Sequence, residues 1–230
     1  MIKINFLTNE DQELNQLDKV TIQIAIDILT GELKKGQRII ENKFCEKYGI
    51  GRPPLRQILN RLSAQQLITL IPNRGAFVKG LSDTDITDIF YLKSIIYPQA
   101  VFWAAERMTV EEIDYLSEIY NFINFYTPTG DIEKVLLFCR GFDKLIYNCT
   151  KNSDLEFTLN KYDFYIKYSL SNIHFPKNYL NILNDEYTEI YRAILKRNPD
   201  LAKECAENHM FHSLLRVNNN IEQETDDSLI

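Results

Sequence analysis

The run from Gly51 to Leu62 admits one local structure, and the segments beside it must fit around that structure. Leu55, Ile58, Leu59 and Leu62 recur at the spacing of one helix face, while Arg52, Arg56 and Asn60 follow at i, i+4 and i+8 on another. Pro53 and Pro54 fall in the first turn, where an absent N–H costs nothing because those amides have no intrahelical partner. A short amphipathic helix is therefore predicted, apolar on one side and cationic on the other. After it come Leu67-Ile68-Thr69-Leu70-Ile71, a turn at Pro72-Asn73-Arg74-Gly75, and Ala76-Phe77-Val78. That pattern reads as a small hairpin with a basic tip, and Gly75 suits a turn position of positive φ.

Upstream, Leu17, Val20, Ile24, Ile28 and Leu29 have helical spacing, and Lys34-Lys35-Gly36 reads as the stop of that helix. Arg38-Ile39-Ile40 is a short extended piece. Glu41 to Tyr48 is a second short helix, stopped by Gly49, with Phe44 as its core anchor. Three helices and a β-hairpin in this order make a winged helix-turn-helix over residues 17–80. Its third helix is of a size to enter the DNA major groove, where arginine bonds guanine O6 and N7 with two hydrogen bonds. The expected DNA contacts are Arg52 and Arg56, with Gln57 and Asn60 on the same helix and Arg74 and Gly75 at the wing tip. Asn42 is a candidate backbone contact. Arg61 and Lys43 read equally as phosphate contacts or as solvated charges.

Charge supports this division. The chain of 230 residues has a net charge of −6, but residues 1–80 carry 12 Lys and Arg against 8 Asp and Glu, while the remainder carries 14 against 24. Only the first part is suited to phosphates. Cys45, Cys139, Cys149 and Cys205 form no CxxC pair and read as free thiols of a reducing compartment. No secretory pattern opens the sequence, and no apolar run of membrane-spanning length occurs, so a cytoplasmic protein is expected.

Residues 1–16 read as an N-terminal arm. Beyond Ser82-Asp83-Thr84-Asp85, a capping-box-like start, the pattern is helical throughout. A long helix containing Pro98 is followed by one opened by Thr109-Val110-Glu111-Glu112. Further helices are predicted at about 131–149, 154–171, 177–196 and from Pro199 to about Asn218. Residues 82–218 thus form an all-α antiparallel bundle of roughly six helices, and 219–230 an acidic, disordered tail. The fold class is mainly α, a winged helix-turn-helix followed by a helical bundle.

Residues 17–80 resemble the DNA-binding domain of the GntR family of bacterial transcription regulators. The resemblance rests on Gly36-Gln37-Arg38-Ile39-Ile40-Glu41, on Tyr48-Gly49-Ile50-Gly51-Arg52-Pro53-Pro54-Leu55-Arg56-Gln57-Ile58-Leu59-Asn60-Arg61-Leu62, and on Pro72-Asn73-Arg74-Gly75-Ala76-Phe77-Val78. Gly51 departs from the family's serine and Gln57-Ile58 from its Glu-Ala. Most of residues 82–218 are similar, more loosely, to the FCD effector domain of one GntR subfamily. That likeness implies a pocket in the bundle, often with a divalent metal held by an aspartate and three histidines, and a small carboxylate effector. At the corresponding positions stand Cys139, Asp143, Tyr187 and His209, so only the last family ligand is retained. The family's asparagine remains as Asn152, and Lys93 and Tyr97 replace an arginine and a glutamate of the first bundle helix. The implied effector pocket is Lys93, Tyr97, Cys139, Asp143, Tyr187 and His209. A metal is disfavoured; a residual site would use Cys139, Asp143 and His209. His212 reads as a pocket neighbour or a surface residue, and His174 as a loop residue.

The resulting expectation is a transcriptional regulator, not an enzyme. It would bind a two-fold double-stranded DNA operator as a homodimer and respond to a small effector, such as an organic acid. Two alternatives stand beside it. In one the bundle only dimerises; in the other the chain is a helical-bundle metalloprotein. Against the second, the sequence has three histidines and neither HExxH nor a Glu-x-x-His pair.

Overall fold

A computed structural model describes residues 14–169 and 178–227, with side chains as far as Val217. Most of the N-terminal arm, His174 and the last three residues lie outside the described residues. The chain divides into two compact units. One holds the described residues up to Ile86 and the end of the helix that contains Phe164; the other holds Thr87–Asp163 and the described residues from Asn178 onward.

The first unit begins with α1 (Gln16–Leu29), whose first turn is capped by the Asn15 side chain accepting from Asp18 N–H. The helix stops at Leu29, not at Lys34–Gly36. Thr30 caps it by donating its N–H to Ile26 O, and Gly31 turns to φ +80° directly after. The local cap wins over the later Lys-Lys-Gly signal because the chain has already left the helical path. Next come β1 (Arg38–Ile39), α2 (Glu41–Tyr48), α3 (Arg52–Ala64), β2 (Ile68–Ile71) and β3 (Gly75–Val78). The hairpin gains a third strand, since β1 pairs antiparallel with β3 in the order β1-β3-β2. Arg38 lies opposite Phe77 and Ile39 opposite Ala76. Gly49 closes α2 in the left-handed conformation, at φ +62°. Leu55, Ile58, Leu59 and Leu62 are buried with Ile24, Ala25, Phe44 and Leu67. Burying one face of α3 this way leaves its arginine face outward.

The second unit is helical among the described residues. It is built from α4 (Asp83–Arg107) beyond Ile86, α5 (Val110–Tyr126), a 3-10 turn at Thr127–Thr129, α6 (Ile132–Cys149), α7 (Ser153–Ser169) as far as Asp163, α8 (Tyr179–Leu195) and α9 (Pro199–Asp227). Both capping starts form. Ser82 and Asp85 exchange bonds, with Ser82 N–H donating to Asp85 and Asp85 N–H to Ser82 Oγ; Thr109 and Glu112 do the same at α5. Asn152, a family position, caps α7 by accepting from the amides of Asp154 and Leu155. The tail expectation is corrected: α9 continues through Asp227 instead of ending near Asn218. Glu222, Gln223 and Glu224 are good helix formers, so the acidic segment extends the helix before it. α5 packs on α6 and α8, and α8 on α9.

Candidate functional site

Two places collect the candidate residues, one in each unit. In the first, α3 opens at Gly51, which supplies no side-chain cap, and starts on Pro53 and Pro54. Arg52, Arg56, Gln57 and Asn60 are exposed along the face opposite the leucines. Two of them are held from α2. Arg52 donates to Asn42 Oδ1 from Nε (3.2 Å) and Nη2 (2.9 Å). Arg56 forks onto Glu41, with Nε to Oε1 at 3.1 Å and Nη2 to Oε2 at 3.3 Å. The pair is exposed, so it orients the guanidinium without locking it. Between α3 and the wing lies a groove of about 720 Å³, lined by Arg38, Arg56, Asn60, Leu70, Ile71 and Gly75 among others.

At the wing, Gly75 has φ +97°, and a Cβ there would sit 3.8 Å from the Arg38 Nε. Asn73 is also left-handed, at φ +61°, and Arg74 is exposed at the tip. The structure thus gathers Arg52, Arg56, Gln57, Asn60, Asn42, Arg74 and Gly75 on accessible ground, with Lys43 exposed on α2. Arg61 is different. Its Nη1 is 2.7 Å from Asp18 Oδ1 and its side chain is 24% exposed, so it ties α3 to α1. Glu41 and Arg38 are members that sequence reasoning left out. Their signal was position: Arg38 lies in the extended piece that becomes β1, and Glu41 follows that piece at the start of α2.

In the second unit the six expected pocket residues are all buried. Lys93 and Tyr97 are one turn apart on α4; Asp143 and Tyr147 are one turn apart on α6. Tyr97 donates its hydroxyl to Asp143 Oδ1 at 2.8 Å, and Tyr147 donates to Asp163 Oδ2 at 2.8 Å. The Lys93 ammonium sits 2.5 Å from Asp163 Oδ1 and 3.8 Å from Asp143 Oδ2. Burial opposes the Lys93 charge, yet Asp163 and Asp143 hold its pKa above the ordinary value. Burial pushes the Asp143 carboxyl up, against the pull of Lys93. Tyr187 packs edge-on to Phe142 and to His209.

His209 faces a second buried carboxylate. Its Nδ1 is 2.8 Å from Glu186 Oε2, and Arg216 donates to both Glu186 oxygens at 2.9 and 3.0 Å. The exposed His212 reaches Glu186 as well, at 3.2 Å. Burial would raise the Glu186 pKa, but the hydrogen bonds from His209 and Arg216 hold it down to about 2. Asp163, Tyr147 and Glu186 complete the cluster and were not among the expected pocket residues. No local pattern marks them, because each is selected by a partner on another helix.

The metal that the FCD likeness implies does not fit these residues. Burial keeps Cys139 a thiol, with its pKa well above the ordinary value, whereas a thiolate is the metal ligand. Asp143 is engaged by Tyr97 and Lys93. The bond of His209 Nδ1 to Glu186 is no bar in itself, since a metal-binding imidazole commonly holds a carboxylate with its other nitrogen; the misfit lies with Cys139 and Asp143. Among the described residues no three His, Cys, Asp or Glu side chains are grouped to hold an ion. Among the described residues, too, no helix is long and apolar enough to cross a membrane.

Comparison with known proteins matches both units. The family model described as bacterial regulatory proteins, gntR family, matches residues 17–78, and that of the FCD domain matches residues 88–212. An uncharacterized HTH-type transcriptional regulator of Bacillus subtilis, YdhC, is 22% identical over 214 residues, or 92% of each chain. The Nta operon transcriptional regulator of Aminobacter aminovorans is 32% identical over 85 residues, which span 37% of this chain and only 40% of that protein. Among solved structures, Escherichia coli McbR/YncC aligns with a TM-score of 0.69 at 18% identity, covering 90% of this chain and 98% of that one. That likeness is one of fold.

Proposed function

Because this chain belongs to the GntR family, with an FCD domain behind its DNA-binding head, it is a DNA-binding transcriptional regulator, and we propose that it works as a homodimer on a two-fold operator under the control of a small molecule bound in the helical unit. Regulators of this family are not enzymes. In this reading the protein is cytoplasmic. Arg52 and Arg56 read base edges in the major groove, Gln57 and Asn60 assist from the same face, and Arg74 and Gly75 of the wing meet the neighbouring groove or phosphates. Asn42 and Lys43 contact the backbone.

The observation that carries this reading is the exposed, forked pairing of Arg56 to Glu41. It presents a planar double donor at the mouth of the groove, in the geometry that guanine accepts. A carboxylate in weak, solvent-screened contact yields readily to a base edge. The dimer is supported by Tyr91, Leu92 and Ile95, which stand exposed at helical spacing along α4.

The test begins with selection from a random pool of duplex DNA by the full chain. A single enriched half-site, repeated with two-fold symmetry, is expected. Affinity for it should fall steeply with salt. Arg56→Ala should weaken it about ten- to hundredfold and leave the circular dichroism spectrum unchanged. Undiminished binding by a folded Arg56→Ala would remove Arg56 from the interface.

A second reading drops the small-molecule switch and leaves the helical unit to dimerise only. It is favoured by the degree to which the buried polar groups of that unit already satisfy one another. A thermal-shift screen against organic acids, sugar acids and amino acids separates the two readings, since a ligand that binds only the native state raises Tm.

A further inference from the structure

We propose that the Lys93 ammonium is the resident cation of the helical-unit site, occupying the electrostatic place of a divalent metal and making the site metal-independent. The inference rests on a count of oxygens. Asp143 and Asp163 bring four carboxylate oxygens into a largely buried cluster; three accept hydrogen bonds and the fourth, Asp143 Oδ2, faces the Lys93 ammonium at ion-pair distance. Lys93 Nζ lies between one oxygen of each, at 3.8 Å from Asp143 Oδ2 and 2.5 Å from Asp163 Oδ1. The remaining two accept the hydroxyls of Tyr97 and Tyr147, both at 2.8 Å. The arrangement joins α4, α6 and α7 through one positive centre and two negative groups, as a bridging ion would.

The surroundings are those of a cation site. Lys93 is 8% exposed, and its ammonium lies 5.3 Å from the centre of the Tyr97 ring, whose π face favours positive charge. Tyr97 and Tyr147 meet edge to face at 6.1 Å, which holds the two hydroxyls on their separate carboxylates. A divalent ion entering here would have to displace a charge of its own sign and both tyrosine hydroxyls. An ammonium is also the weaker organiser: it attracts carboxylates at hydrogen-bond distance without the tight, directional shell that zinc imposes at about 2.0 Å.

The test uses the full chain, with three divalent metals and one organic cation as probes. After incubation with excess manganese, nickel or zinc chloride and dialysis, the wild type is expected to retain essentially no metal. Its Tm should be the same with each metal and with EDTA. Lys93→Ala removes the cation and leaves a space of its size between two carboxylates. The variant should melt lower than the wild type and be raised again by ethylammonium chloride or by manganese, neither of which should move the wild type. One metal per wild-type chain, lost with EDTA, overturns the proposal. A folded Lys93→Ala that is indifferent to both cations also overturns it. Should Lys93→Ala not fold, the wild-type metal measurement decides alone.

Discussion

The face of α3 and the buried cluster of the helical unit both pair arginine or lysine with carboxylates, and they do so to opposite ends. Arg56 meets Glu41 in the open, where water screens the pair and either partner can leave. Lys93 meets Asp143 and Asp163, and Arg216 meets Glu186, where little water reaches. The exposed pair aims a donor at something yet to arrive. The buried pairs hold helices together and are costly to break one-sidedly, because removing one member strands the other's charge. In the proposed reading the same residue types thus serve an interface in one unit and a scaffold in the other, and exposure decides which.

The sharpest way to break this contrast is to remove a buried partner. Glu186→Ala should cost stability of about 2 kcal/mol in a denaturant titration, because His209 and the part-buried Arg216 both lose a carboxylate that accepts their hydrogen bonds. A loss well below 1 kcal/mol would put Glu186 in the same class as Glu41. The pH dependence of this site follows from the depressed pKa. Glu186 titrates near 2 in the folded protein against an ordinary value of 4.5. Its contribution is therefore fully present above about pH 4.5 and is lost as pH falls toward 2. The stability gap between wild type and Glu186→Gln should be constant at neutral pH and close across that acid range. A gap that stays open at pH 2 would assign the stabilisation to packing instead.

Arg61→Ala sharpens the comparison inside the head. Its pair with Asp18 is part-buried and joins α1 to α3, so a loss of about 0.5–1 kcal/mol in stability is expected, with DNA affinity and its salt slope little changed. A drop of about one in that slope would return Arg61 to the phosphate contacts. Smaller again is Glu41→Gln. It should leave folding alone and relax base preference at the position that Arg56 reads, seen as a broader set of enriched sequences in the same selection.

Much of the head was legible because its signals are local. The leucine stripe, the prolines and the turn glycine of residues 51–78 each act within a few positions, and the third helix and hairpin follow directly. The end of α1 was misread because a nearer signal intervened: Thr30 and Gly31 ended the helix before Lys34. Asp18, far back in the sequence, is a partner of Arg61 that no local pattern announces. The helices of the second unit were also legible from their caps and spacing. Its charge partners were not: nothing around Asp163 or Glu186 distinguishes them from the other acidic residues of α7 and α8. What selects them is the register in which Lys93, His209 and Arg216 meet them across the bundle. The likeness to a metal-binding domain pointed to residues that do lie buried in the helical unit, but two of the positions it named, Cys139 and Asp143, are a thiol and a carboxylate already engaged by Tyr97 and Lys93.

Gly51, at the head of α3, leaves the protein with evolutionary headroom. The family's usual serine would fit there, since a Cβ at this position meets nothing nearer than the proline ring carbons at 3.7 Å, and the backbone φ of −79° suits any residue. A serine hydroxyl would add a helix cap of a few tenths of a kcal/mol and, in the proposed reading, one more donor at the surface that meets DNA. The chain thus stands one substitution below a tighter grip. Its affinity has room to be selected upward, without disturbing the core, should its target genes come to need firmer silencing or firmer activation.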